Sequence, residues 1–195
     1  MEFRLIYEGP LPAQGSGGGR AKEKHQIRKQ LHPQLAELWQ QHPVLRSLKE
    51  QVNPLDKSSY VDYVASQYTR LGYRFVPLVW RQPDNVATCE LDILFLRRDN
   101  PGGILVSGGD IDNRIKVLFD GLKTPKVVED LGGFNTPDAG EDPFFCLVED
   151  DSLVTRVNIM TDRLLLPMTP PGNPHDVVLI IRVNARLVDA DEFYS

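Results

Sequence analysis

The residues best suited to chemistry form a short acidic stretch, Asp110-Ile111-Asp112-Asn113-Arg114-Ile115-Lys116. Two carboxylates lie two residues apart, and a lysine follows one helical turn after the second. A further acidic cluster, Glu149-Asp150-Asp151, comes after a long loop. Carboxylate oxygens are the ligands that Mg²⁺ prefers, and a few of them suffice because the ion keeps several waters. The two clusters therefore predict a divalent-cation site, if the fold brings them together.

Phosphoryl chemistry is the reaction that these residue types suit. A divalent cation positions an attacking water and screens the charge that develops on a phosphoryl group. Lys116 would add a positive charge near the scissile phosphate or the leaving oxygen. The glycine pair at 108–109 and the polar Asn113 favour a ligand site, because glycines allow the backbone to approach a ligand closely.

A purely structural interpretation of the first cluster is also open. Asp110 would then cap the start of a helix, where its carboxylate meets unpaired amides. Asp112, Lys116 and Asp120 would form an exposed ladder of ion pairs, each worth about a few tenths of a kcal/mol. The second acidic cluster argues against this interpretation, since like charges repel unless a cation lies between them.

The composition is that of an ordinary soluble domain. The 195 residues suffice for one domain with a substantial core and are few for two. No apolar run approaches the roughly 20 residues that cross a bilayer, and the first residues lack the order of a secretory signal. We therefore expect a cytoplasmic protein without a membrane partner. Cys89 and Cys146 are too few for a disulfide framework and are expected to be buried free thiols.

Charge is unevenly distributed along the chain. The formal net charge is −5, but the segment from Val128 to Asp151 contains eight acidic residues and no Lys or Arg. The remainder has 19 acidic and 22 basic residues. A basic segment near the start is a candidate for phosphate contacts, and solvated surface charge is an equally good interpretation of it. Its residues are Arg20, Lys22, Lys24, Arg28 and Lys29.

Periodicity and chain breakers predict the elements that would position these residues. A helical pattern runs from about Arg20 to Gln41, and Pro33 is expected to kink or split it. Two further helices are predicted at 43–51 and 111–123. Strands are predicted at 3–8, 73–80, 88–96, 144–148, 153–161 and 177–183.

The order of these elements favours a single mixed α/β domain. Strands occur both next to each other and separated by helices, which predicts a mixed central sheet with packed helices. The strands at 73–80 and 88–96 resemble an antiparallel hairpin joined through 83–85. On the predicted helix at 111–123, which we call the acidic helix, an apolar stripe should pack on the sheet. Its charged residues should lie on a neighbouring face. The stripe is Ile111, Ile115, Leu118 and Leu122, and the charged residues are Asp112, Lys116, Asp120 and Lys123.

The histidines do not suggest a metal centre. His25, His32, His42 and His175 have none of the usual ligand spacings, so packing or surface positions are the better interpretation.

The motif residues resemble the RusA-like endodeoxyribonucleases, a family of Holliday junction resolvases. The family pattern is D-x-D-N-x-x-K, then D-[GA]-L, then a D-D pair that opens a strand. The matching segments are the stretch from Asp110 to Lys116, Phe119-Asp120-Gly121-Leu122, and Glu149-Asp150-Asp151-Ser152-Leu153-Val154.

This resemblance implies a function and roles for residues. It implies a small mixed α/β fold, Mg²⁺ or Mn²⁺ as cofactor, branched DNA as the substrate, and a homodimer that nicks two strands in DNA recombination or repair. Asp110, Asp112 and Asp151 resemble the metal-binding catalytic carboxylates, Lys116 the catalytic lysine, and Asp150 a supporting metal ligand.

Compared with the shorter members of this family, the chain has two additions within one domain, 1–195. Residues 20–70 resemble a helical insertion, and 124–143 form a long acidic loop. The alternative function is a nucleic-acid- or protein-binding module that keeps the fold without cleaving junctions.

Overall fold

The computed structural model describes residues 1–14, 19–53, 57–82, 85–98, 111–165 and 175–189. These residues form a mixed α/β fold, which confirms the predicted fold class at that level. In chain order the elements are β1 (Glu2–Pro10), α1 (Ala21–Gln41), α2 (Pro43–Glu50), α3 (Tyr60–Gln67), β2 (Thr69–Arg70), β3 (Tyr73–Val79), β4 (Asn85–Arg97), α4 (Ile111–Leu122), β5 (Phe144–Val148), β6 (Val154–Arg163) and β7 (Asp176–Asp189). Two short 3₁₀ helices, Val128–Leu131 and Asp151–Leu153, lie before and after β5.

The described strands form two sheets instead of the single central sheet that was predicted. The larger sheet has the order β1-β7-β4-β6, and the smaller one has the order β2-β3-β5. In the larger sheet β7 is antiparallel to β1 and β4, whereas β4 and β6 are parallel. In the smaller sheet β3 and β5 are parallel. Side chains from both sheets and from α1 join in one main core.

The predicted antiparallel hairpin of β3 and β4 is wrong. Among the described residues the two strands meet at their junction, where the Ala87 N–H donates to the Trp80 carbonyl and the Gln82 N–H to the Asn85 carbonyl, and they then pair in different sheets. β3 buries six of its seven side chains, whereas β4 alternates between buried and half-buried side chains from Cys89 onward. A strand buried on both faces suits an interior position beside a parallel neighbour, and an alternating strand suits a sheet with one solvated face. Residues 83–84 of the connection lie outside the described residues.

α1 is continuous through Pro33, so the predicted split does not occur. Pro33 is exposed, so it lies on the face of α1 away from the core. The opposite face is buried and supplies the main core with Ile27, Leu31, Leu35 and Trp39. The segment 20–70 therefore contributes to the core of this fold. Of the helices in the described ranges, none, α1 included, is long and apolar enough to span a membrane.

α4 packs closely against α1. A Cβ atom placed on Gly121 would lie 2.8 Å from Cβ and Cγ2 of Ile27, so this contact requires a residue without a side chain. Val117, Leu118 and Leu122 are buried beside it. This buried stripe overlaps the predicted one at its C-terminal half, while Ile111 and Ile115 are half-buried.

Two glutamines of α1 cover the free edge of β1. The Gln34 side chain accepts from the Ile6 N–H at 2.9 Å and donates to the Ile6 carbonyl at 2.7 Å. Gln30 makes the same pair of bonds with Glu8, at 2.7 and 2.8 Å. Primary amides thus replace the missing neighbour strand, and they satisfy backbone groups that would otherwise be open to edge-to-edge association.

Candidate functional site

The described part of the first acidic motif lies in the first turns of α4. Asp112 and Lys116 are exposed and lie one turn apart on the same face of the helix. The Asn113 carbonyl accepts from the Gln14 N–H at 3.2 Å, which holds the start of α4 against the segment after β1. Asp110 and the glycine pair before it lie outside the described residues.

The second acidic cluster follows β5 and leads into β6, as the sequence predicted. The Asp150 carboxylate accepts from the Ser152 N–H at 3.1 Å and from its hydroxyl at 2.6 Å, as an N-terminal helix cap does. Leu153 is fully buried in the main core and anchors this 3₁₀ turn. The turn therefore holds Asp151 at the surface next to α4.

Lys123 connects the C-terminal end of α4 with the second acidic cluster. Its ammonium lies 2.8 Å from Oδ1 of Asp120 and 3.1 Å from Oδ2 of Asp151. Asp120 also bonds Lys24 of α1, at 2.7 Å. Opposite charges therefore alternate from Lys24 through Asp120 and Lys123 to Asp151, across three segments that are distant in the chain.

This alternation keeps the inner groups charged. Burial alone would raise the pKa of Asp120, but hydrogen bonds from Lys123 and Lys24 lower it overall. Burial likewise opposes the charged form of Lys123, but its bonds to Asp120 and Asp151 raise its pKa overall. Carboxylate and ammonium thus stabilise each other's ionised form at neutral pH.

The other two acids of the cluster also have cationic neighbours. The Lys126 ammonium lies 2.5 Å from Asp150, and this bond is the main reason that the pKa of Asp150 lies well below its usual range. Glu149 accepts from the Arg81 N–H at 3.0 Å, and its carboxylate lies 3.5 Å from the Arg81 guanidinium. Side chains of the same chain therefore balance the cluster's negative charge.

The structure brings Asp151 to the C-terminal end of α4, where Asp120 lies. Asp112 precedes Asp120 by eight residues, which is about 12 Å along the helix axis. Within the described ranges, no three His, Cys, Asp or Glu side chains are grouped as metal ligands. The donor types fit a hard cation such as Mg²⁺, whereas the arrangement of the described carboxylates alone does not complete a site.

Asp120 is the residue that the sequence-based site prediction omitted. It lies four residues after Lys116 and three before Lys123, so helical spacing places it on the charged face of α4. What the spacing could not show is that Lys24 of α1 reaches it, because that contact depends on how the two helices pack.

Two of the five predicted nucleic-acid-binding residues are buried. Lys24 and Arg28 are 8% and 3% exposed, because the buried face of α1 turns them toward α4. Arg28 donates to the carbonyls of Asp120, Lys123 and Asp130 at 2.5, 2.8 and 2.9 Å. The first two carbonyls lie at the C-terminal end of α4, where they lack helical partners. In place of the predicted phosphate contacts, both positive charges stabilise the fold.

Lys29, a third member of the basic segment, is bound to the acidic loop. Its ammonium lies 2.6 Å from Asp138 and 2.7 Å from Glu141. Arg20 is half-buried and Lys22 is exposed. Of the predicted phosphate-binding residues, Arg20 and Lys22 are therefore the two whose placement best suits that role.

His25 and His32 are packed inside the protein, in line with the interpretation from their spacing. His32 accepts the Phe145 N–H at Nδ1 (2.9 Å), so its Nε2 carries the proton and donates to the Gly140 carbonyl at 3.0 Å. His25 is fully buried, and burial lowers its pKa to about 4. Neither ring nitrogen of His25 has a hydrogen-bond partner in the described structure. Its ring neighbours are Tyr73, Phe134 and Phe144.

Comparison of the chain with family models, with curated proteins and with solved structures gave no match. The resemblance to the RusA-like family therefore rests on the motif residues alone.

Proposed function

We propose that this chain is a Mg²⁺- or Mn²⁺-dependent endonuclease of the RusA-like type, which hydrolyses phosphodiester bonds in branched DNA in the cytoplasm. The observation that carries the proposal is the position of the second acidic cluster beside α4, the helix that also carries Asp112; Lys123 joins Asp151 to Asp120 there. The residues assigned to the cation are Asp110, Asp112, Asp151 and, in support, Asp150.

The chemistry follows from these residue types. When bound, the cation supplies an activated water and screens the charge that develops on the phosphoryl group. Lys116 lies on the exposed face of α4 with Asp112 and would place a positive charge against a phosphate oxygen. Lys123 lowers the pKa of Asp120, and Lys126 lowers the pKa of Asp150, so both carboxylates stay in the ionised form that binds a cation.

A homodimer is part of the same proposal. Resolution of a four-way junction requires two symmetric nicks, and a two-fold symmetric pair of identical sites meets that requirement.

A binding module that keeps this fold without cleaving DNA is the second candidate function. Its support is the charge balance of the acidic cluster, in which Glu149, Asp150 and Asp151 each have a cationic neighbour. Acids that are already balanced within the chain have less need of a metal ion.

The test is cleavage of a labelled four-way junction by the whole chain in the presence of Mn²⁺. Asp112→Asn should reduce nicking at least about 100-fold, because it removes one negative charge from the metal-binding set. Since Asp112 is exposed, the variant should unfold at the same temperature as the unmodified protein.

Glu129→Gln is the matched control, because it removes an exposed negative charge from the acidic loop and should leave nicking unchanged. Unchanged nicking by Asp112→Asn would remove the proposed mechanism. Tight junction binding by the unmodified chain, equal with and without Mn²⁺ and without nicking, would establish the binding module in its place.

A further inference from the structure

The outer face of the larger sheet carries an apolar row across all four strands. The strand register aligns Ile6 of β1, Ile180 of β7, Leu94 of β4 and Met160 of β6 side by side. These residues lie on the face opposite the core, because their chain neighbours on β1, β7 and β4 are buried. The row therefore belongs to the solvated face of the sheet.

This row is accessible in a single copy of the chain. Its outer members, Ile6 and Met160, are 52% and 63% exposed, and its two middle members are half-buried. Val178 and Leu96 extend it by a second row in the centre of the sheet. Six adjacent apolar side chains on one face are typical of an interaction surface rather than of scattered surface residues.

On the side of the apolar row away from Val178 and Leu96, the next two rows carry charges of both signs. The next row is Arg4, Arg182, Asp92 and Asn158, and the row after it is Glu2, Asn184, Glu90 and Arg156. Such a mixed surface is a poor match for nucleic acid, whose phosphates would meet the carboxylates of Glu90 and Asp92.

We propose that this face binds a second copy of the chain, with the two larger sheets packed face to face. The inference rests on the homodimer of the proposed function and assigns a surface to it. The two-fold axis would run parallel to the strands, between β7 and β4. It places β1 over the partner's β6 and β7 over the partner's β4, and the strands cross at about 30°, as in aligned sheet packing.

The apolar residues meet each other under this symmetry. Ile6 faces the partner's Met160, and Ile180 faces the partner's Leu94. Each contact occurs twice, because a two-fold interface uses the same patch on both copies. The row that is exposed in one copy is thereby covered along its whole length.

The flanking charges are complementary under the same axis. Arg182 faces the partner's Asp92, and Glu2 faces the partner's Arg156. Within one copy, Arg182 already bonds Glu2 at 2.7 Å and lies 3.6 Å from Asp92. The association therefore extends an existing network of ion pairs and leaves no charge unpaired at its centre.

The size of the face predicts a weak, reversible dimer. Four strands and four rows of side chains cover on the order of 500 Å² per copy, against about 800 Å² per partner in a standard stable interface. Glu8 would face the partner's Asp162 at the rim, where solvent and salt screen the repulsion. We therefore expect dissociation in the micromolar range.

Sedimentation velocity of the whole chain, without DNA or metal, tests the surface. The unmodified chain should dimerise reversibly as its concentration rises through the micromolar range. Met160→Glu should raise the dissociation constant at least about tenfold. Val127→Glu is the matched control, since Val127 is 51% exposed and lies in the loop after α4; it should leave dimerisation unchanged.

A charge exchange identifies the contact between copies. Glu2→Arg and Arg156→Glu should each weaken the dimer, and the double variant should restore it. Within one copy these residues lie on β1 and β6, three strand spacings or about 14 Å apart, so a direct ion pair between positions 2 and 156 forms only between copies.

A chain that stays monomeric, a dimer that Met160→Glu leaves intact, or a double variant without restoration would each overturn the inference. None of these measurements uses cleavage. A result that overturns the dimer surface is therefore distinguishable from one that overturns the nuclease activity.

Discussion

Arg28 joins the C-terminal end of α4 to the 3₁₀ helix Val128–Leu131 through three hydrogen bonds to backbone carbonyls, at 2.5–2.9 Å. A guanidinium suits this task because it presents five N–H donors in one plane. The same end of α4 carries Asp120 and Lys123, so Arg28 positions the alternating charges of the candidate site.

Arg28→Met should lower the free energy of unfolding by roughly 3 kcal/mol or more, because three carbonyls lose a donor at about 1–3 kcal/mol each. Arg28→Lys should recover only part of this loss, since an ammonium cannot match the planar set of donors. Urea-induced unfolding measures both variants.

Lys22→Met is the matched control for this prediction, because it removes an exposed positive charge from the same helix. It should change the free energy of unfolding by less than about 0.5 kcal/mol. If Arg28→Met is as stable as Lys22→Met, the three carbonyl bonds do not stabilise the fold.

His25 makes stability depend on pH. Its pKa is lowered to about 4 in the folded state, chiefly by burial and then by the nearby charges of Arg28 and Lys29. In the unfolded chain it has the ordinary value of about 6.5. The unfolded state therefore binds a proton first as the pH falls, and the folded state loses up to about 3 kcal/mol between pH 6.5 and 4.

His25→Phe should flatten this part of the pH profile, because phenylalanine does not titrate and suits the surrounding aromatic rings. The measurement is the urea midpoint of both proteins at several pH values from 7 to 4. Parallel profiles for the unmodified chain and for His25→Phe would show that His25 does not cause the acid sensitivity.

The contact between α1 and α4 determines how close the acidic helix lies to the rest of the fold. Gly121 allows this close contact, because the fully buried Ile27 side chain occupies the space that a Cβ atom would need. The distance between the helices in turn allows Lys24 to reach Asp120.

Gly121→Ala should therefore lower the free energy of unfolding by about 1–3 kcal/mol through overpacking, although alanine is favoured over glycine in a helix by about 1 kcal/mol. Thermal unfolding measures the change. Gly19→Ala is the control, since no heavy atom of the described residues beyond its chain neighbours lies within 4 Å of the Cβ position there. If the Gly121→Ala protein is more stable than the unmodified chain, α1 and α4 can move apart without lowering the free energy of unfolding.

The two edge strands of the larger sheet, β1 and β6, differ in how they are covered. Gln30 and Gln34 bond the backbone of β1 at its free edge, whereas β6 forms the opposite end of the sheet with both of its faces largely exposed. Growth of the sheet beyond β1 is therefore blocked.

At the scale of the whole molecule, basic side chains of α1 and β3 neutralise part of the acidic loop. Lys29 binds Asp138 and Glu141 of the loop, and Arg74 of β3 bonds Asp142 at 2.8 Å. Two segments that look like separate charged surfaces in the sequence are one interface in the fold. Charge counts along a chain therefore do not predict which charges remain available to a partner.

Most elements were predictable from the sequence. α4 was predicted at 111–123 and is found at Ile111–Leu122, and β5 was predicted with its observed bounds. The division of the strands into two sheets was not predictable, because β3 and β4 are adjacent in the chain and both are rich in apolar residues. Their partners are β5 and β7, which lie far along the chain.

The sequence by itself determined where helices and strands form and which residue types make up the acidic motif, because periodicity, caps and breakers act over a few neighbouring residues. Only the tertiary structure decided that Lys24 and Arg28 lie inside, and that Asp151 meets Lys123 and Asp120 at the end of α4. These outcomes depend on packing between segments up to about a hundred residues apart, where burial outweighs the local preference of a charged side chain for water.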